Sequence, residues 1–393
     1  MTQPMRRTLL ALFTICLLGA GCASSQTADS QPQVAGAQDT AAVIPSRYAD
    51  RRAYVVTLAP KNGNGTLTLV RTGNDLHGRS QGLFGKPSGA IFGLVDEDGW
   101  QTIQWQDDAG GLPMDLRAAW TPENVWWTSL QRPDGSQERI ELVPTQVPES
   151  VELEPVVIEK RETPFAEATC EFSLAYPKTT AGVPQDRMEA MNRLIQQAAA
   201  GTSTEQGANT FMELCRQELQ DMSEMDPPSQ NLTRFEIHTF SVETNQDGIL
   251  SLGFHLDGYY GGAHPLHGSV YLTLDTRTGK RLAITDLIAS DKLRMFFQAE
   301  KFKLLSERRD TLFEDQQQEF MRFVETIASP TAKEQLDNYG DFSNFYLTPN
   351  ALVTEYDEYE IAPYAAGPIR VFLPYADIAG FLSAESPIKR LMR

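Results

Sequence analysis

The sequence predicts an α+β fold, with a C-terminal antiparallel sheet carrying helices on one face and a small all-β barrel or sandwich before it. Three observations carry this. From about Arg47 to Val147, short runs with alternating apolar residues are separated by turns rich in Gly, Asn and Asp, the pattern of a small antiparallel barrel or sandwich. From about Val156 to Arg393, runs of period two bracket segments of helical period, as in a sheet with helices grouped between strands. All five tryptophans fall between Trp100 and Trp127, a composition boundary between two domains.

The elements follow in chain order. Arg6 and Arg7 form a positive start, Thr8 to Leu18 an apolar run, and Gly19-Ala20-Gly21 a small-residue block before Cys22. This is the architecture of a secretory signal, and the run is shorter than the roughly 20 residues of a spanning helix. The final block resembles a lipobox, which implies a signal peptide over 1–22 with Cys22 as the lipidated residue. Residues 23–45 are Ser, Gln, Ala, Thr and Asp with little to bury, so they read as a tether. Ala23 follows the cysteine, which by resemblance to Gram-negative lipoproteins implies an outer-membrane anchor facing the periplasm.

In the first domain, 46–147, strands are expected over Ala53 to Leu58, Thr66 to Arg71, Ala90 to Val95, Trp100 to Trp105 and Glu138 to Val143. Between them lie turns such as Lys61-Asn62-Gly63-Asn64-Gly65 and Asp96-Glu97-Asp98-Gly99. Trp100, Trp120 and Trp126 are expected to fill the barrel, because tryptophan is mostly buried. Trp126 and Trp127 must point in opposite directions if they share a strand. Pro144, Pro148 and Pro155 mark a semi-extended linker over 148–156.

The second domain, 157–390, opens on a strand with Cys170, Phe172, Leu174 and Tyr176 alternating. Two helices follow, one with Met188, Met191, Leu194, Ile195 and Ala198 on a side, the other with Phe211, Leu214, Cys215, Leu219 and Met222. Both thiols therefore face the core, and in an oxidising compartment a Cys170–Cys215 disulfide is expected. A hairpin turns at Asn245-Gln246-Asp247-Gly248, with Leu250, Leu252, Phe254 and Leu256 on one face and Ser251, Gly253, His255 and Asp257 on the other. A third strand is expected to turn Val270, Leu272 and Leu274 inward; helices are expected near 290–306 and 312–328, the second burying Phe313, Phe320, Phe323, Val324 and Ile327. Strands around Phe345-Tyr346-Leu347, Leu352 to Tyr356 and Ile369 to Leu373 precede a short helix from Tyr375.

The formal charge is −18, and loss of Arg6 and Arg7 with the signal takes it to −20. Such a chain repels nucleic acid and anionic lipid and favours cationic partners. There is no phosphate-binding Gly-rich loop followed by Lys-Ser or Lys-Thr, and no Gly-x-Ser-x-Gly nucleophile elbow. Two constellations remain. His255, His264 and His267, with Asp257 close by, would supply zinc ligands if the hairpin brought them together, the basis of an alternative reading as a metal-dependent hydrolase of cell-wall material. Against it, Gly261-Gly262 and His264-Pro265 suit a loop in which the histidine bonds backbone. Tyr259, Tyr260, Tyr356, Tyr359 and Tyr364 form a second group with Asp357, Glu358 and Glu360 among them, suited to a cationic or sugar-bearing partner.

Five blocks stand in order: Gly258-Tyr259-Tyr260-Gly261-Gly262-Ala263-His264-Pro265, Leu274-Asp275-Thr276-Arg277-Thr278-Gly279-Lys280, Asn344-Phe345-Tyr346-Leu347-Thr348, Tyr359-Glu360-Ile361-Ala362-Pro363-Tyr364-Ala365-Ala366-Gly367, and Val371-Phe372-Leu373-Pro374-Tyr375. Together they resemble the extracytoplasmic domain shared by the lysozyme-sensing anti-sigma factor RsiV and the N-terminal part of the peptidoglycan deacetylase PdaC, over about 155–390. The resemblance implies a fold more than an activity; in the anti-sigma factor this domain faces outward and binds lysozyme. The deacetylase's catalytic part needs an Asp pair and a His-x3-His motif, neither of which is in place, so deacetylation is not carried over. The reading is a non-catalytic envelope lipoprotein without a cofactor, touching the membrane through its lipid alone. Its ligand would be a peptidoglycan-related glycan or a cationic protein such as lysozyme, bound through Tyr259, Tyr260, His264, Tyr359 and Tyr364.

Overall fold

The computed structural model describes residues 48, 51–83, 88–108, 113–131, 136–165, 168–200, 204–223, 232–325 and 344–392. Cys22, the signal segment and the tether lie outside the described residues. Among the described residues, no helix is long and apolar enough to cross a membrane.

Eight antiparallel strands run up and down: β1 (Ala53–Pro60), β2 (Thr66–Thr72), β3 (Asp75–Gln81), β4 (Ser88–Val95), β5 (Gln101–Asp107), β6 (Met114–Trp120), β7 (Trp126–Gln131) and β8 (Gln137–Pro144). Pairing of β1 with β8 closes a barrel, which decides between the barrel and sandwich readings. Strand alternation sends Leu58, Leu67, Leu69, Ile91, Ile103 and Trp126 inward. Trp105, Trp120 and Trp126 fill the interior, and each indole N–H finds an oxygen: Ser80 Oγ at 2.7 Å, Tyr54 OH at 3.0 Å and Gln101 Oε1 at 2.7 Å. Gly89 makes room for Trp105, since a Cβ there would lie 2.4 Å from the indole ring.

The expectation that Trp100 fills the barrel is wrong. In β5 the odd positions 101, 103, 105 and 107 point inward, so Trp105 takes the core and Trp100 falls in the outer phase. There Trp100 packs edge-on against Trp127, 5.5 Å away, beneath the Arg117 guanidinium.

The rest of the chain builds two sheets. The larger has the order β14-β13-β12-β11-β10-β9, from β9 (Glu152–Glu162), β10 (Thr169–Ala181), β11 (Thr233–Gln246), β12 (Ile249–Tyr259), β13 (Leu266–Asp275) and β14 (Lys280–Arg281). Residues 152–156, read from sequence as linker, are thus the start of its edge strand. All its pairs are antiparallel except β10–β11, which is parallel because α1 (Gln185–Ala200) and α2 (Thr204–Ser223) form the crossover between them. Met191, Ile195, Phe211, Met212 and Leu219 of these helices pack on Phe172, Leu174, Phe240, Leu252 and Leu274. Leu214 is exposed, against the sequence reading, because Phe211, Met212, Cys215 and Leu219 define a stripe that excludes it. Val270, expected inward, is also exposed, because only the second half of β13, with Leu272 and Leu274, is covered. Cys170 of β10 and Cys215 of α2 sit at disulfide distance, Sγ–Sγ 1.97 Å and Cα–Cα 6.0 Å, tying helix to sheet.

After α3 (Ile284–Leu287) come α4 (Leu293–Arg308) and α5 (Glu314–Glu325). The smaller sheet then joins β15 (Phe345–Leu347), β16 (Ala351–Tyr356) and β17 (Ile369–Pro374), with α6 (Tyr375–Ile378) closing the order. Phe320 and Phe323 of α5 are buried and Phe313 is half-buried; Ile327 lies outside the described residues. One face of the small sheet packs on α4, through Phe296, Phe297, Leu304, Leu352 and Val371. Its other face packs on the larger sheet, with the Tyr271 and Tyr346 rings stacked 4.3 Å apart. The larger sheet is therefore covered twice, by α1 and α2 on one side and by the barrel and small sheet on the other.

Candidate functional site

Side chains on the barrel-facing side of the larger sheet are polar. Strand alternation puts Asp75, His77 and Arg79 on the outside of β3, against Ser241, Glu243, His255 and Ser269 of the sheet. Arg79 pairs with Asp108 at 2.6 Å and also with Glu243, all three nearly buried. Ser241 Oγ donates to Glu243 at 2.6 Å. Burial pushes the Glu243 carboxyl up, but Arg79 and the Ser241 hydrogen bond outweigh it and hold the group below its usual range. The network continues into the small sheet. Tyr271 OH donates to Glu355 at 2.8 Å, and Arg370 Nε donates to the same carboxylate at 2.5 Å.

His255 belongs to this network. One ring nitrogen meets Ser241 Oγ at 2.8 Å and the other Ser269 Oγ at 3.1 Å, and the ring stacks 6.0 Å from His77. Burial lowers the pKa of both imidazoles, that of His77 to about 4. The two other histidines of the proposed metal set lie at the outer end of the same strands and have other partners. His264 Nδ1 donates to the Pro265 carbonyl at 2.8 Å, leaving Nε2 to accept from Tyr359 OH at 3.1 Å. His267 Nδ1 lies 3.4 Å from Asp257 Oδ1, the residue facing it in the β12–β13 register. The three histidines do not converge, and no group of three His, Cys, Asp or Glu among the described residues is arranged to hold a metal ion.

What does converge is aromatic. The β12–β13 loop presents His264, and the turn after β16 presents Tyr359 and Tyr364. His264 stacks on Tyr364 at 3.9 Å, Tyr359 lies 5.7 Å from Tyr364, and His267 lies 6.3 Å from it. Tyr359 is 53% exposed and holds a φ of +65°, a conformation costly for a residue with a bulky side chain. The loop reaches this place through Gly261, whose φ is +82° and where a Cβ would meet the Arg234 guanidinium at 2.4 Å.

Carboxylates rim the ledge. Asp357 Oδ1 accepts the Ser269 N–H at 3.0 Å, yet burial and neighbouring acids push this carboxyl up to about 7. Glu358 is also raised, by burial first, against the opposing pull of His267 and His264. Asp75 of the barrel is raised by burial and by the nearby Asp257. Asp75 and Arg79 were invisible to sequence reading, since outward positions of a strand read as solvent-facing.

The five-residue binding set is split. His264, Tyr359 and Tyr364 share the ledge. Tyr260 instead packs beside Phe211 of α2, and its hydroxyl donates to Glu236 at 2.6 Å, so burial and that carboxylate push the phenol up. Tyr259 stacks on Phe235, near Arg234, and donates to the Gly262 carbonyl at 3.0 Å. Chain direction at the end of β12 sets this: successive residues there point to opposite sides of the sheet.

Among curated proteins none matches this chain. Solved structures similar to this chain include two of the DUF3298 family. A member of the DUF3298 family from Bacteroides fragilis NCTC 9343 is 18% identical, with 61% of this chain and 97% of that one covered and a TM-score of 0.46. A DUF3298 family protein from Pseudomonas aeruginosa PAO1 is 18% identical, with 60% and 95% covered and a TM-score of 0.40. Residues 286–376, which include α4, α5, the small sheet and both tyrosines of the ledge, match the family model described as a protein of unknown function, DUF3298.

Proposed function

We propose that the chain is an exported envelope lipoprotein, anchored through Cys22 in the outer membrane and facing the periplasm, whose folded part is a non-catalytic binding module. The signal architecture and the resemblance to the extracytoplasmic RsiV and PdaC domain support the location and the role. The observation that carries the reading is the ledge: His264, Tyr359 and Tyr364 gathered from two segments 95 residues apart and held at the surface among Asp257, Asp357 and Glu358. Aromatic faces beside carboxylates favour a ligand with exposed amines or guanidinium groups, since both cation–π attraction and ion pairing act on it. A cationic wall-active protein such as lysozyme fits this better than an uncharged glycan. The hydrolase reading loses its basis because His255 is committed to two serines away from His264 and His267.

The test is retention of the soluble chain on immobilised lysozyme and on purified murein sacculi. Retention on lysozyme, weakened about tenfold or more by Tyr359→Ala with Tyr364→Ala, is the expected result. Retention on neither surface removes the proposal, and retention on sacculi alone transfers it to the glycan.

A further inference from the structure

Strand positions of one parity share a face, so Leu266, Gly268 and Val270 of β13 lie on the side of the sheet where Leu272 and Leu274 join the core with α1 and α2. The helices do not reach the first half of the strand. Leu266 is 41% exposed there and Val270 52%. Gly268 stands between them without a side chain. The β12–β13 register sets half-buried Leu256 opposite Gly268, and buried Phe254 opposite Val270. A notch one side chain wide results, walled by Leu266, Val270 and Leu256.

Its rim is charged. Asp357 reaches β13 from the turn after β16. Its Oδ1 accepts the Ser269 N–H at 3.0 Å, and its Oδ2 lies 3.9 Å from where a Cβ on Gly268 would stand. Among the described residues no other atom comes within 4 Å of that position. The charged groups acting on Asp357 are Glu355, Glu358 and Glu360, all acids. The nearby cations are committed elsewhere: Arg370 to Glu355, Lys301 to Glu300 and Tyr356. The Ser269 N–H is occupied by Asp357, so this stretch of β13 offers a partner side chains rather than a free row of backbone donors.

We infer that the notch over Gly268 is a subsite for a lysine or arginine side chain of a protein partner, with its methylenes between Leu266 and Val270 and its charged head on Asp357 Oδ2. Long basic side chains bury an apolar stem while the head stays with an acid or water. A wholly apolar side chain would desolvate Oδ2 without pairing it, and a cation without a stem would leave Leu266 and Val270 in water. The inference rests on the ledge reading in one respect, that the partner is cationic. Asp357 belongs to both surfaces, so one partner would touch both.

The test titrates lysozyme and, separately, hexalysine into the soluble chain from residue 23 onward by calorimetry. Gly268→Val fills the notch. Gly268 lies outside the left-handed region and valine suits a strand, so the fold should persist, checked by an unchanged urea midpoint. The expected result is binding of both ligands, weakened about tenfold or more by Gly268→Val. Val270→Ser trims the wall without touching Asp357 and should weaken both about threefold or more. Binding that both variants leave unaltered overturns the subsite and leaves the ledge standing. Binding of neither ligand to the wild type removes the ledge reading, and the subsite with it. Binding that appears only when residues 326–343 are replaced by a Gly-Ser linker assigns the notch to the chain's own segment and overturns the assignment to a partner.

Discussion

Replacing Arg79 by leucine tests whether the barrel and the larger sheet are held as one body by their charged junction. Arg79 lies between Asp108 and Glu243, with side chains 7%, 10% and 8% exposed. Leucine keeps part of the volume and removes the charge, leaving two carboxylates buried without a counter-ion. Breaking a buried pair in this way costs about 3–5 kcal/mol, against at most about 1 kcal/mol for a surface pair. The assay is urea unfolding followed by two signals. Fluorescence reports the barrel, because all five tryptophans lie between Trp100 and Trp127; far-ultraviolet dichroism reports α1 to α5. The wild-type signals should coincide, and the variant should lose about 3–5 kcal/mol with the fluorescence transition moving to lower urea. Adding Asp108→Asn and Glu243→Gln to Arg79→Leu should restore part of the loss, since neutral amides tolerate burial better than unpaired carboxylates. The cost of Arg79→Leu alone should shrink as pH falls, because Arg79 is what holds the Glu243 carboxyl down and without it that group takes up its proton more readily. A loss below about 1 kcal/mol, independent of pH, would refute the reasoning.

Three further outcomes are expected. Burial holds His77 down at about 4 while the unfolded chain titrates near the ordinary 6.5, so the unfolded state binds the extra proton and stability falls as pH drops from 6.5 toward 4, by up to about 3 kcal/mol; His77→Gln should flatten a urea-midpoint profile across that window. Reduction of the Cys170–Cys215 disulfide, 45 residues apart, should lower stability by about 4 kcal/mol on the loop-entropy model, read as a shift of the urea midpoint in dithiothreitol that Cys170→Ser with Cys215→Ser does not show. Asp357 is pushed up to about 7, so a cationic ligand should bind more tightly as pH rises from 6 to 8 and this carboxyl ionises; Asp357→Asn should remove the slope in a binding isotherm measured at both pH values.

Much of the architecture was legible as periodicity. Alternation over Thr66 to Arg71 and Leu250 to Leu256 marked strands, and the stripe of Phe211, Cys215 and Leu219 marked the helix that faces Cys170. Phase errors arose where a signal was local. Trp100 was placed inside because tryptophan is usually buried, yet one residue of strand phase decides the face, and Gln101, Ile103 and Trp105 set that phase. The site was legible in part. His264, Tyr359 and Tyr364 were named as a group, while Tyr259 and Tyr260, adjacent to one another, went to different surroundings at the strand's end.

By itself the sequence determined the class of fold, the division into a tryptophan-rich all-β part and an α+β part, and the absence of familiar catalytic motifs, because side-chain periodicity and turn chemistry are local properties of the chain. Only the tertiary structure decided that β3 lies against the polar side of the larger sheet, that His255 is separated from His264 and His267, and that Asp357 stands beside Gly268. Those outcomes depend on which surfaces meet after folding. A charged residue on the outer phase of a strand has the same sequence pattern whether water or another sheet covers it, and Arg79 shows the difference: its two carboxylate partners lie 29 and 164 residues away.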